Sequence, residues 1–387
     1  MTSSNNKEAS DRGGEPYRVM VVDDSAVIRG MLTKTLEADK LVEVVASVSN
    51  GQMALSTLGR KEIDVVVLDI EMPVMDGLTA LPKMLELKPD LQVIMASTLT
   101  RQNAEISMRA LDLGAKDYIP KPTTGGEIYS AEGFKRELTE KVKVLGRNAR
   151  GGRAATPRVI QQRPAAGTTA GAAPQAKPET KSTTIQLRQG AITPPEVLAI
   201  GSSTGGPQAL LEVMKNFADN RFTLPILITQ HMPPTFTTLL AEHITRVIKR
   251  PCVEAKEGDR VVPGSVYVAP GDYHMTVKRD QDGCSIHLAQ DPPENFCRPA
   301  VDPMLRSMAA AYGARMLVVI LTGMGSDGCN GSKAVVEAGG SVVAQDEATS
   351  VVWGMPGAVA TAGLCSAVLP LNQIGSFVAK SAVRPAA

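Results

Sequence analysis

Two sets of side chains in this sequence have types and positions suited to chemistry. In the first, Asp23 and Asp24 follow the apolar run 18–22 (RVMVV), Asp69 closes 64–68 (DVVVL), Ser97 ends 92–96 (QVIMA), and Lys121 follows 117–119 (DYI). Three carboxylates brought together repel one another unless a cation neutralises them, and hard oxygen ligands suit Mg²⁺. A hydroxyl and an ammonium on the same rim suit phosphoryl oxygens. The chemistry that uses all five is a phosphoryl group accepted by a carboxylate. Asp69, central in the set, is the best acceptor. Any one of these residues alone reads more simply as a solvated strand cap; the matching types at successive strand ends favour one site.

In the second set, the run 197–200 (VLAI) leads into Gly201-Ser202-Ser203-Thr204-Gly205-Gly206-Pro207. Strand, glycine-bracketed serine and helix is the layout of a nucleophile elbow, with Ser203 at the centre of G-x-S-x-G. A helix N-terminus beside that hydroxyl stabilises developing negative charge, and Pro207 suits the first helical turn. A serine needs a base. Of the four histidines, His231 follows the strand 224–229 (LPILIT), His243 lies in a helical stretch, and His274 and His287 lie in an inserted segment. Position favours His231. Asp327, after MLVVILTGMGS, supplies a carboxylate to fix the imidazole tautomer and stabilise imidazolium. Two plainer readings compete: a phosphate-binding loop, although GSSTGGP lacks both G-x-G-x-x-G and GK[ST], and a simple helix cap at Ser203 beside a structural His231.

The elements that must position these residues alternate regularly. Strands are predicted at 18–22, 42–48, 64–68, 92–96 and 117–119, with helical periodicity between them, as at Ile28-Met31-Leu32-Leu36. Five β/α repeats fit one doubly wound domain. Residues 147–192 are rich in Ala, Gly, Pro, Thr and Gln and read as a tether. Order returns at Glu196, with strands at 197–200, 224–229, 316–321 and 341–344 and helices at 207–216, 235–249, 302–312 and 327–338. The segment 259–290 has a hairpin signature around its Gly-Asp and Asp-Gly turns, which predicts a mixed second sheet. The expected divisions are a disordered 1–16, a first domain 17–140, a linker 141–195 and a second domain 196–387.

At 387 residues the chain exceeds the usual single-domain limit, and 43% hydrophobic content suffices for buried cores. A net charge of +1 gives no electrostatic case for nucleic acid or membrane surfaces. No apolar stretch has the length of a bilayer span, and the polar N-terminus lacks a signal-peptide core, so the cytoplasm is expected. The five cysteines show no CxxC spacing and read as reduced structural thiols.

VMVVDDS, VVVLDIEMPVMDG, VIMAS and DYIPKP closely resemble the receiver domain of two-component response regulators, a flavodoxin-like (β/α)5 fold. That resemblance implies Asp69 as phospho-acceptor, with Asp23, Asp24, Asp69 and the Glu71 carbonyl as metal ligands. It implies Ser97 and Tyr118 as a switch pair, Lys121 at the phosphoryl group, and a histidine kinase as donor. AIGSSTGGP, ITQHMPP, VYVAPGDYHM, RPAVDPM, LTGMGSDG and AQDEATSVVWGMPGAV are similar to the chemotaxis protein-glutamate methylesterase family, CheB. Its implications are a mostly parallel α/β esterase domain and hydrolysis of glutamate methyl esters on methyl-accepting chemoreceptors, often with deamidation of receptor glutamines. Carried over, Ser203 is the nucleophile, His231 the base and Asp327 its orienter; Thr204 and Met324 line the site, with the Met324 N–H as oxyanion donor. Ser202 stands where alanine is more frequent, which leaves two adjacent serines to tell apart. The esterase step needs no metal. The resemblance also implies that the unphosphorylated receiver covers the esterase cleft. A non-catalytic regulator that binds a receptor or nucleotide through its second domain is the alternative.

Overall fold

The computed structural model describes residues 15–121, 131–151, 159–160, 185–218 and 222–382. The first domain runs β1 (Tyr17–Val22), α1 (Ala26–Leu36), β2 (Val42–Val48), α2 (Gly51–Leu58), β3 (Val65–Asp69), α3 (Gly77–Leu87), β4 (Gln92–Ser97), α4 (Arg101–Asp112), β5 (Asp117–Pro120) and α5 (Ala131–Ala149). The five strands form one parallel sheet in the order β2-β1-β3-β4-β5. The runs begin and end where local chemistry dictates. Ser25, Asn50, Asp76 and Thr100 each turn a side-chain oxygen onto the third amide of the helix they precede, satisfying donors that a helix start leaves open. Strands β3 and β4 are buried along their whole length, as a sheet covered on both faces requires.

Between the domains come β6 (Val159–Ile160) and β7 (Ile185–Gln186), which pair as a short parallel ladder. The second domain continues with β8 (Val197–Ser202), α6 (Gly206–Met214), a 3₁₀ turn (Lys215–Phe217), β9 (Ile226–Gln230), α7 (Phe236–Ile248), β10 (Cys252–Glu254), β11 (Val266–Val268), β12 (His274–Asp280) and β13 (Gly283–Ala289). It closes with α8 (Val301–Tyr312), β14 (Met316–Ile320), α9 (Cys329–Glu337), β15 (Ser341–Gln345), α10 (Met355–Thr361), β16 (Ala367–Leu369) and α11 (Leu371–Ala382). Seven strands form a sheet in the order β10-β11-β9-β8-β14-β15-β16, and every pair in it is parallel.

That sheet corrects one expectation. The hairpin is real, but β12 and β13 form their own two-stranded antiparallel sheet instead of joining the main one. The VYV segment ahead of them, read as part of the hairpin, is the parallel strand β11, paired with β9 and β10. Three-residue strands are too short for periodicity to distinguish from hairpin arms; only their neighbours decide.

The expected boundary at residue 140 falls within α5. Val142 and Leu145, beyond that boundary, pack with Val19, Val21 and Phe134 in the core on one face of the first sheet. Their burial keeps the helix going into a stretch whose composition reads as tether. Most of the expected disordered N-terminus and of the linker lies outside the described residues.

The two domains share buried apolar surface. One continuous cluster runs from Met95, Met108, Leu111 and Tyr118 of the first domain to Phe236 and Leu240 of the second. Helix α4 packs on α6 and α7, and Gln208 Nε2 of α6 donates to the carbonyls of Leu111 (2.9 Å) and Ala115 (3.1 Å).

Candidate functional sites

In the first sheet, strands β1, β3, β4 and β5 are consecutive neighbours, so their carboxyl ends bring Asp23, Asp69, Ser97 and Lys121 to one rim. Lys121 Nζ lies 2.6 Å from Asp23 Oδ2 and 2.6 Å from Asp69 Oδ1. One carboxylate oxygen from each of Asp23, Asp24 and Asp69 falls within 4.8 Å of the others. Asp23 and Asp69 are buried and Asp24 is exposed, so the cluster opens to solvent on one side.

Burial pushes the Asp69 carboxyl up to about 6; Lys121 opposes this and the neighbouring Asp23 charge adds to it. Burial also works against the Lys121 ammonium, but Asp23 and Asp69 outweigh it and hold it above its ordinary value. Charge is therefore unbalanced around Asp69, the condition that a divalent cation would correct. Ser97 Oγ is buried there without a hydrogen-bond partner. An orphaned hydroxyl beside a carboxylate is what a phosphoryl oxygen would satisfy. Glu71 lies two residues past Asp69 on the exposed loop. These residues fit Mg²⁺ and a phosphoryl group. Tyr118, the other expected switch residue, is buried, and its ring stacks on Phe236 of α7.

In the second domain β9, β8 and β14 are adjacent central strands. Register pairs Ser202 with Gln230 and Gly201 with Ile320, so Ser203 and His231 leave the sheet side by side, with the Asp327 loop beyond β14 on the other flank. The turn after Ser203 depends on glycine twice. Gly205 has φ +73°, and a Cβ there would meet Val351; a Cβ on Gly206 would lie 2.0 Å from Gln230 Oε1.

The two serines face opposite ways. Ser202 is fully buried and its hydroxyl donates to Gln230 Oε1 at 2.6 Å. Ser203 is half-buried and lines the cleft. Gln230 Nε2 holds the Ser203 carbonyl at 2.9 Å, so one amide side chain anchors both residues.

His231 Nε2 sits 2.7 Å from Asp327 Oδ2. Asp327 also accepts from the backbone amides of Val301, Asp302 and Gly328 and from Asn295 Nδ2, at 2.6 to 3.0 Å. Burial works against the charge on Asp327, but His231 and these amides more than offset it and hold the carboxyl below its ordinary range. Surrounded by donors, Asp327 is an acceptor, and the imidazole proton belongs on Nε2. Burial likewise opposes a charged His231, yet Cys297 and Asp327 together raise it well above the ordinary histidine value.

Thr204 and Met324 line the same cleft, and Thr204 Oγ1 is buried without a hydrogen-bond partner. Of the remaining histidines, His243 is on α7, 3.7 Å from Asp112 of the receiver, and His274 and His287 are on the hairpin, where His287 meets Glu257. Sequence reasoning missed Gln230, Asn295 and Cys297. Cys297, one of five free cysteines, places Sγ 3.3 Å from His231 Nδ1. Asn295 joins Asp327 to Asp302. No spacing rule marks any of them, because each reaches the site from a neighbouring loop or strand.

The cleft, of about 1900 Å³, has walls from both domains: Ser203, His231 and Met324 on one side, Arg136, Lys141 and Asn148 of α5 on the other. The Arg136 guanidinium sits 3.4 Å above the centroid of the Phe296 ring, and Asn148 donates to the Val351 carbonyl.

Fold and site define a class: a receiver domain joined to an α/β domain that presents serine, histidine and aspartate at one sheet edge. A response regulator receiver domain model matches residues 19–131 and a CheB methylesterase model matches 198–378. The chain belongs to the CheB protein-glutamate methylesterase family. A protein-glutamate methylesterase/protein-glutamine glutaminase of Rhodospirillum centenum is 58% identical over 385 residues, which cover 97% of this chain and 96% of that protein. One from Azospirillum brasilense is 57% identical over 381 residues, 97% and 95% of the two chains. The crystal structure of the Thermotoga maritima CheB methylesterase catalytic domain is 39% identical, covering 49% of this chain and 99% of that one, with a TM-score of 0.47.

Proposed function

We propose that this protein is a phosphorylation-activated protein-glutamate methylesterase that, like the enzymes its relatives are named for, also deamidates protein glutamines, and that its substrates are chemoreceptors. The observation that carries this reading is the His231–Asp327 pair at 2.7 Å, beside Ser203 in a cleft that the receiver's α5 walls off. Ser203 Oγ attacks the ester carbonyl and its proton passes to His231. Asp327 already holds Nε2, so Nδ1 is the nitrogen that accepts. The imidazolium is stabilised by Asp327, the Met324 N–H serves the developing oxyanion, and Thr204 lines the approach. Methanol leaves with the proton from His231, and water then resolves the glutamyl-enzyme to free glutamate. With glutamine as substrate, ammonia leaves in place of methanol. No metal takes part in these steps.

Asp69 is the phospho-acceptor, and a histidine kinase of the receptor system is the donor. Asp23, Asp24, Asp69 and the Glu71 carbonyl would hold Mg²⁺, which supplies charge neutralisation for the incoming phosphoryl group. Ser97 and Lys121 bind its oxygens, and Ser97 with Tyr118 relays the change. Such partners place the protein in the cytoplasm, without nucleic-acid or membrane-inserted contacts; among the described residues no helix is long and apolar enough to cross a membrane. The relatives bear enzyme names, which sets the non-catalytic alternative aside. Methanol release from purified methylated receptor, measured with and without a small-molecule phosphodonor, tests the reading. Release that rises with the donor supports it; no release under either condition overturns it.

A further inference from the structure

The short loop Asn295-Phe296-Cys297 touches three things that function depends on. Asn295 donates to Asp327, Phe296 lies under Arg136 of the receiver, and Cys297 reaches the imidazole. Asn295 and Phe296 have φ of 51° and 65°. Asparagine adopts such left-handed backbone readily but phenylalanine rarely does, so surrounding contacts must hold the loop at Phe296. Phe296 is 77% exposed even with Arg136 over it, so this grip is on the surface, where it can be released.

The imidazole has its proton on Nε2, facing Asp327, which leaves the Nδ1 lone pair as the base. Cys297 Sγ stands on that lone pair at 3.3 Å. Among the described residues, Ser203 Oγ has no hydrogen bond to either ring nitrogen, since Asp327 and Cys297 take both.

On the basis of the esterase reading, we infer that Cys297 is a positioning residue: with the receiver docked, its thiol occupies His231 Nδ1 and withholds the base from Ser203, and the Arg136–Phe296 contact keeps it there. Release exchanges one hydrogen bond for another. The S–H leaves Nδ1, the Ser203 O–H takes its place, and only then does a proton transfer from Oγ to Nδ1. The charged and titratable groups around the ring are Asp327 after β14, Asp302 and Arg306 on α8, Asp272 after β11, and Cys297 and Arg298 on the loop itself. Cys297 and Asp327 are the two in direct contact with the ring.

The test uses full-length protein. Without phosphodonor, Cys297→Ala should raise kcat for methanol release severalfold with little change in KM. Cys297→Ser, which returns a donor to Nδ1, should reverse most of that rise, and Phe296→Ala should raise the basal rate by loosening the grip. A Cys297→Ala protein with an unchanged or lower basal rate overturns the proposal. The four histidines also allow the His231 ring to be read by ¹⁵N NMR, which needs no turnover. Its Nδ1 resonance should move in Cys297→Ala, where the thiol contact is gone, and an unmoved Nδ1 resonance in a folded protein overturns the contact itself. An Nδ1 resonance that moves while no form of the protein releases methanol overturns the proposal through the esterase reading instead of the geometry.

Discussion

The ring of Tyr118, at the end of the receiver sheet, lies flat on the ring of Phe236 in α7, with centroids 4.3 Å apart and planes 6° from parallel. Phe236 opens the helix that follows His231 in the chain, so the stack joins β5 to the element next to the edge that carries Ser203 and His231. Arg101–Glu242 at 2.9 Å lies farther along the same helix but is exposed on both sides and contributes little. The stack is buried and contributes more. An aromatic pair is worth about 0.5–1.5 kcal/mol beyond its area, so Tyr118→Leu, which keeps bulk and loses the stack, should raise unphosphorylated activity by a factor of roughly 2–10. Basal methanol release measures this; an unchanged rate would show that the stack does not hold the receiver down.

The pH dependence follows from the direction of the His231 shift. His231 is raised, so at a pH between the ordinary histidine value and its folded value it is still protonated and cannot accept from Ser203. Activity should therefore grow with pH through an acid limb above the ordinary value of about 6.5. Asp327→Asn removes the stronger of the two ring hydrogen bonds and should move that limb down while lowering kcat by about 10³–10⁴. A kcat/KM profile of both proteins checks the pair of shifts.

The two adjacent serines give opposite expectations. Ser203→Ala should abolish methanol release without altering receiver phosphorylation. Ser202→Ala should keep turnover but lose stability, because it leaves Gln230 Oε1 unpartnered in the interior. An unsatisfied buried acceptor costs about 1–3 kcal/mol. Denaturant midpoints and single-turnover acylation separate them; turnover surviving in Ser203→Ala would move the nucleophile.

Asp69 should behave as a carboxyl raised to about 6 in metal-free protein. Below that pH the proton occupies the oxygen that must attack phosphorus, so phosphorylation should fail on the acid side. Added Mg²⁺ favours the charged form and should shift the midpoint down. Carbon-13 titration of labelled aspartate with and without Mg²⁺ reads the shift directly. Asp69→Ala should retain basal hydrolysis and lose activation by phosphodonor; activation that persisted would count against phospho-control at this residue.

Asn295→Ala removes a donor shared by Asp327 and Asp302. The two carboxylates then face each other with less to separate their charges. The expected result is a kcat loss on the order of tenfold, about 1.4 kcal/mol, with KM little changed. A loss confined to KM would assign Asn295 to binding.

Much of the architecture was legible because it is written in local periodicity. Runs such as 64–68 and 316–321 are continuous and apolar, which only strands covered on both faces require, and each ends in a residue that water or a ligand must meet. A parallel sheet turns such endings into one edge, which is why Asp23, Asp69, Ser97 and Lys121 group from the sequence alone, and likewise Ser203, His231 and Asp327. The short strands β10, β11 and β16 were not legible, since three residues show no period and exist only through the neighbours they pair with.

By itself the sequence determined the two domain types, the family, and which residues stand at the strand ends. Those properties depend on the order of residues along one segment at a time. Tertiary structure alone decided which way each serine faces, because Gln230 comes from another strand, and which imidazole nitrogen Asp327 holds, because Asp327, Asn295 and Cys297 converge from separate loops. It also decided that Tyr118 and Arg136 of the receiver meet Phe236 and Phe296 across the cleft. Contacts between segments more than a hundred residues apart leave no local pattern to read; they arise only when the two sheets are folded and packed.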